Sequence, residues 1–237
     1  MTDQVIIEAF RDESGRLLEE LAAIRDAEFA RPSPCPPWTV AELAFHVRMT
    51  IGRLPGMLAG PEPALEPAFG GLVSAAGYYR ADQRFSDAVN TDRIESAQQG
   101  SAGLSGAAER ASDFADVLRH ALDVLLAAPA GRVVRTRHGD LMLLTEFLRT
   151  RVLELAVHGL DLAVALAREP WMTLRAAQVT EELLLPAPAA ATLRARTGWD
   201  RVTVIGALTG RRPVTPDEAR LIGALGTQRI ALGQLAG

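Results

Sequence analysis

The segment from about residue 145 to 168 constrains this chain most. Leu, Val and Ala cover almost its whole circumference, yet Arg151, Glu154, His158 and Asp161 recur along it at spacings of three and four. Residues three and four apart in a helix lie on one face, one above the other. A helix that is apolar all round is normally buried, so this stripe is carried into a core. Burying an unpaired carboxylate costs free energy on the order of several kcal/mol. Glu154 and Asp161 therefore need cationic side chains or a metal ion, and other helices must wrap around this one.

The rest of the chain supplies those helices. Val5, Ala9, Leu17, Leu21 and Ile24 recur at helical spacing and predict a helix over roughly 3–30, which the proline-rich run at 31–37 stops. Thr39 and Glu42 form a T-x-x-E capping box that opens a second helix reaching about Ala59. A Pro- and Gly-rich loop over 60–70, a third helix over roughly 72–98 and a fourth over about 106–128 follow. Residues 133–142, with β-branched residues before Gly139, read as a short hairpin or an extended loop. After Glu169-Pro170 comes a smaller helical segment with a second capping box at Thr215-Pro216-Asp217-Glu218. The reading is a mainly α chain. A four-helix bundle over 1–168 carries the stripe, and a small C-terminal helical segment spans 169–237.

Composition narrows the chemistry. The chain has 237 residues and a net charge of −4, a poor match to phosphate-backbone binding, so nucleic acid is not an expected partner. All 25 basic residues are Arg, which excludes Schiff-base chemistry and a P-loop lysine. The single cysteine, Cys35, excludes an internal disulfide and a Cys-rich zinc site, and fits a reducing compartment. The acidic N-terminal residues lack the pattern of a signal peptide and no run approaches a membrane span, so a cytoplasmic protein without a membrane partner is expected.

His46 lies among apolar neighbours on the second helix, one turn after Glu42. With Glu154 and His158 it makes two imidazoles and one carboxylate from two helices, the donor set of an open metal site. Without a thiolate, Zn²⁺ suits it, and Ni²⁺, Fe²⁺ and Mn²⁺ stay open by ligand type. Each feature also has a plainer reading. E-x-x-x-H is common on helices, and a single buried histidine is commonly a hydrogen-bonded core residue. Asp161 reads as the partner of a ligating imidazole or of an arginine. Arg151 reads as neutralising Glu154 or as meeting a substrate carboxylate. Cys35, with no base or cation adjacent in sequence, reads as structural, and Trp38 as packing at the start of its helix. His120 and His138 read as surface histidines, and Arg211 and Arg212 as guanidinium forks for a carboxylate-bearing ligand or as a solvated pair.

Two runs carry a family resemblance. Residues 32–47 (PSPCPPWTVAELAFHV) and 150–163 (TRVLELAVHGLDLA) resemble the two signatures of the mycothiol-dependent maleylpyruvate isomerase family, a branch of the DinB-like four-helix metalloproteins. The resemblance covers roughly 1–168. It implies a DinB-like bundle, a divalent cation, usually Zn²⁺, held by His46, Glu154 and His158, and mycothiol as thiol cosubstrate. It also implies an arginine on the helix after the first signature that positions an acidic substrate. Arg80 and Arg84 are the candidates, with a solvated helix face as the other reading.

The expected activity is a metal- and thiol-dependent transfer or cis–trans isomerisation on a small electrophile, with Arg80, Arg84, Arg151 and Asp161 as catalytic candidates. One alternative keeps the metal for hydrolysis, with Glu42 or Asp161 as base. Another is a metal-stabilised binding or dimerisation module. The C-terminal helices are expected to cap the site or to mediate a homodimer.

Overall fold

The computed structural model describes residues 2–64, 71–79, 86–227 and 230. Its helices are α1 (Asp3–Ala22), α2 (Val40–Leu58), α3 (Ala75–Tyr78), α4 (Asp87–Ala102), α5 (Ala107–Ala127), α6 (Leu144–Leu166), α7 (Leu174–Leu184), α8 (Ala187–Thr197), α9 (Arg201–Leu208) and α10 (Pro216–Ala224). Strands β1 (Val133–Arg135) and β2 (Leu141–Leu143) form one antiparallel hairpin between α5 and α6. The chain is mainly helical.

Four helices make the bundle. α1 packs on α5 and α6, and α2 packs on the same two from the other side. α6 is buried along nearly its whole length, from Leu144 through Leu166. Around it the core is closed by Phe10, Leu17 and Leu21 of α1, Leu43, Ile51 and Leu54 of α2, and Phe114, Leu118 and Leu125 of α5. α1 and α2 thus take two faces of α6, and α7 covers another while also packing on α1. The apolar circumference read from sequence is explained by this central position.

Local chemistry sets the ends. Thr39 accepts from the Glu42 N–H and Glu42 accepts from the Thr39 N–H, so the expected capping box is present and fixes where α2 begins. Thr215 and Glu218 do the same for α10. α6 ends at Ala167, which turns into the left-handed region at φ 54°. The hairpin pairs Val133 with Leu143 and Arg135 with Leu141, and Gly139, at φ 88°, turns it.

Two boundaries differ from expectation. The first helix stops at Ala22, and Asp26–Glu28 form a separate 3₁₀ turn. There the Glu28 carboxylate accepts from the Arg25 N–H, a local cap that competes with continuing the helix. The helix expected over 72–98 is described as α3 and α4; Ser86 caps a fresh N-terminus by accepting from the Val89 N–H, and 80–85 lie outside the described residues. No helix of the described residues is long and apolar enough to cross a membrane.

Side-chain hydrogen bonds fasten the C-terminal helices to the bundle. Buried Glu13 of α1 accepts from both the backbone N–H and the hydroxyl of Thr173, the N-cap of α7. Arg168, just past α6, donates to the Glu20 carboxylate at 3.0 Å and to the Ala23 carbonyl at 2.9 Å.

Candidate metal centre

α2 and α6 face each other across the core, and their polar residues meet there. His46 Nε2 lies 3.7 Å from Glu154 Oε2, and His158 Nε2 lies 3.3 Å from the same oxygen. One donor atom from each of the three residues lies within 4.8 Å of the other two. The two imidazoles sit edge to face with centroids 5.1 Å apart. The two histidines are buried and Glu154 is nearly so. The spacing along α6 explains half of this geometry, since Glu154 and His158 are one turn apart. The capping box explains the other half, because it sets the helical phase at which α2 presents His46.

Each ring is held differently. His158 donates from Nδ1 to Asp161 Oδ2 at 2.9 Å, which leaves Nε2 turned toward Glu154 and His46. Among the described residues His46 has no hydrogen-bond partner at Nδ1; instead Trp38 stacks on it at 4.7 Å and 27° between planes. Trp38 therefore does more than pack the start of α2. Tyr79 donates to the Thr150 carbonyl at 3.0 Å and lies 3.3 Å from Glu154 Oε1, bracing the carboxylate from the other side.

Electrostatics suits a cation. Burial pushes His46 down to about 4 against the opposing pull of Glu154, so this imidazole is neutral at neutral pH, as a ligand must be. Burial alone raises Glu154, but hydrogen bonds to His158 and His46 and the charge of Arg151 outweigh it and hold the carboxyl ionised. Burial opposes charge on His158 too, yet Asp161, Cys35 and Glu154 outweigh it and favour a positive charge at this ring. Two buried acids thus call for positive charge at one place. The donors fit a divalent cation, with two imidazole nitrogens and one carboxylate oxygen converging and the rings oriented from behind.

A second group, Cys35, His158 and Asp161, also clusters. It fits a cation less well, because a guanidinium already occupies its carboxylate. Arg211 donates from Nε to Asp161 Oδ1 at 3.1 Å and from Nη2 to Oδ2 at 2.8 Å, and the Cys35 thiol donates to Oδ2 at 3.2 Å. Against the upward push of burial, the hydrogen bond and charge of His158, and after them those of Arg211, hold Asp161 well below the ordinary carboxylate range. Asp161 is thus partner to both an imidazole and an arginine.

This corrects the solvated-pair reading of Arg211 and Arg212. The Arg211 side chain is only 6% exposed, and Arg212 stacks 4.2 Å above the Trp199 ring while pairing with Glu218. Cys35 is fully buried, and the base and cation that its neighbours in sequence lack arrive from α6 and from beyond α9. No local signal marks Arg211. Only the rule that buried Asp161 needs a cation could have prompted a search, and 25 arginines offered no way to choose.

Other candidates fall as follows. Arg151 is buried, with its guanidinium 4.7 Å from the Phe147 ring centre and 5.6 Å from that of Tyr78. Among the described residues it forms no ion pair, with Glu154 or any other acid, so its expected role in neutralising Glu154 reduces to a longer-range attraction. Arg53, two turns after His46, likewise pairs with no described acid; burial and the charges of Arg137 and Arg151 push it down to about 10. Arg80 and Arg84 lie outside the described residues. His120 is exposed as expected, whereas His138 is half-buried with its ring 5.8 Å from Tyr78. Glu42 is consumed by its own capping box. The carboxylate of Asp161 is likewise engaged, by His158 and Arg211.

A family model described as the mycothiol maleylpyruvate isomerase N-terminal domain matches residues 10–163. Among solved structures, a mutant of the mycothiol-dependent maleylpyruvate isomerase superposes with a TM-score of 0.54 at 14% identity, over 78% of this chain and 70% of that one. A second structure of the mycothiol-dependent maleylpyruvate isomerase gives 0.47 at 15% identity, over 68% and 61%. At 14% identity the first likeness speaks to fold alone. No curated protein matches.

Proposed function

The chain belongs to the family of the mycothiol maleylpyruvate isomerase N-terminal domain, and from that premise we propose that it is a metal- and thiol-dependent enzyme. His46, Glu154 and His158 would hold one divalent cation, Zn²⁺ by donor type. The cosubstrate is a low-molecular-weight thiol, mycothiol by family, and the substrate a small electrophile that carries an acidic group. The reaction is transfer of the thiol or cis–trans isomerisation through it. The observation that carries the proposal is the convergence of three buried donor atoms within 4.8 Å, contributed by two helices.

A divalent cation held by His46, Glu154 and His158 would supply Lewis-acid chemistry that favours the thiolate form of a thiol. The chain's own residues prepare the rest. His46 is kept neutral by burial and is steered by the Trp38 stack. His158 keeps its proton on Nδ1, bonded to Asp161, and turns Nε2 inward. Glu154 supplies the ionised oxygen and is steadied by Tyr79. Arg151 and Arg53, which pair with no described acid, supply the positive charge that an acidic substrate group needs next to the centre. In transfer the thiol stays on the substrate; in isomerisation it adds, the former double bond rotates as a single bond, and the thiol leaves. The division 1–168 and 169–237 belongs to this reading as a bundle that carries the donors and a segment that closes over them.

The test is elemental analysis joined to thiol-dependent turnover. The expected result is about one divalent ion per chain, lost in His46→Ala and in His158→Ala, with turnover of an acidic electrophile that requires both metal and mycothiol. Full metal content in both variants would falsify the ligand assignment. Turnover that ignores added thiol defeats the thiol chemistry.

A further inference from the structure

We infer that Arg211 is a positioning residue of the metal centre, acting through Asp161 to fix the ring of His158, so that the C-terminal helices complete a site whose three donors all lie before them. The inference rests on the metal reading above and extends it beyond the residues 10–163 matched by the family model.

The geometry is a relay of direct contacts. Arg211 grips Asp161 side-on, Nε to Oδ1 at 3.1 Å and Nη2 to Oδ2 at 2.8 Å, and Asp161 Oδ2 takes the His158 Nδ1 proton at 2.9 Å. An aspartate that accepted only from His158 could turn about its side-chain bonds and let the ring swing. A planar fork on both oxygens removes that freedom. It also adds a fixed positive charge beside a carboxylate only 1% exposed. Without the fork, the group that orients His158 keeps only that imidazole and the Cys35 thiol as partners, and its Oδ1 loses the Arg211 donor.

The fork itself is held rigidly. Arg211 N–H donates to the Gly206 carbonyl at 2.8 Å, and its Nη1 donates to the Thr209 carbonyl at 2.7 Å. Gly210, at φ 79°, makes the reversal that turns the chain back over the end of α9. Below it, Val204, Ile205, Ala207 and Leu208 of α9 are fully buried. The guanidinium is thus presented by a core element rather than by a loose tail. Partners behind a ligating histidine set its tautomer and ring orientation, and their loss typically weakens metal binding about 10–100-fold.

The test compares wild type, Arg211→Met, Asp161→Asn, the double variant Arg211→Met/Asp161→Asn and the conservative Arg211→Lys. Zn²⁺ affinity is measured by competition with a chromophoric chelator, Co²⁺ substitution gives a visible spectrum of the site, and thermal unfolding is followed separately. Arg211→Met and Asp161→Asn should each weaken Zn²⁺ binding about 10–100-fold and change the Co²⁺ bands. The double variant should bind no more weakly than the weaker single, because both act on one path. Arg211→Lys, which keeps the charge and loses the fork, should fall between wild type and Met, and it carries the comparison if the Met variant does not fold. Unchanged Zn²⁺ affinity and Co²⁺ bands in Arg211→Met or Arg211→Lys, with only stability reduced, overturn the inference, as does full additivity in the double variant. A wild-type chain that binds no Zn²⁺ instead removes the underlying metal reading, and the inference falls with it.

Discussion

Glu13 joins the bundle to the helices that present Arg211, and its burial makes that joint sensitive to pH. The side chain lies 1% exposed on α1, and its Oε2 accepts from the Thr173 N–H at 2.8 Å and hydroxyl at 2.7 Å. Burial outweighs these bonds and lifts the carboxyl from 4.5 to about 7. In the unfolded chain the ordinary value returns, so between the two values the folded state holds a proton that the unfolded state has released. A state that binds more protons is favoured by acid. Stability therefore rises as pH falls from about 8 toward 5 and is lost again as pH climbs through 7. Integrating a shift of this size over that range yields about 2–3 kcal/mol. Glu13→Gln keeps an oxygen for Thr173 and carries no charge. Urea unfolding of both proteins across this pH range isolates the effect, because every other titrating group cancels in the difference. The stability of wild type relative to the Gln variant should rise by about 2–3 kcal/mol from about pH 8 to about pH 5. A flat difference, or one that moves in favour of the Gln variant toward acid, refutes the assignment of a buried carboxyl at this joint.

Three further outcomes are expected. Trp38→Leu removes the ring stacked 4.7 Å from His46; it should cost about 2–3 kcal/mol in thermal unfolding and weaken metal binding in calorimetry, and an unchanged metal affinity would show that the stack does not orient the ligand. Gly100 has no room for a side chain, since a Cβ there would run into the Phe45 ring; Gly100→Ala should cost about 1–3 kcal/mol, partly restored by adding Phe45→Leu, and full stability of the single variant denies the close approach of α4 to α2. Chelation should lower the melting temperature: metal at about 100 times its dissociation constant adds about 2.7 kcal/mol, or roughly 5–10 °C for a chain of this size, and calorimetry with and without chelator reads it directly.

The fold was legible wherever its cause is local. Thr39 with Glu42 and Thr215 with Glu218 are caps because each pair satisfies free N–H groups within one turn, and both form as read. The stripe on α6 was legible because helical spacing alone places Glu154, His158 and Asp161 on one face. The break of the first helix near Ala22 was less visible, since the competing Arg25–Glu28 cap is a short-range choice between two locally acceptable structures. Trp38 was visible as a residue but not as a ring partner, because stacking on His46 depends on how the proline-rich run folds back over α2.

By itself, then, the order of residues determined a helical chain with an apolar central helix, two buried acids in need of positive charge, and three metal-type donors on two helices. Periodicity and capping act over one or two turns, and such facts survive without coordinates. Tertiary structure alone decided which cations answer those acids. Arg211 reaches Asp161 from 50 residues away, and Cys35 reaches it from 126. Contacts that distant depend on the packing of whole helices, and packing selects one arginine among 25 by position rather than by type.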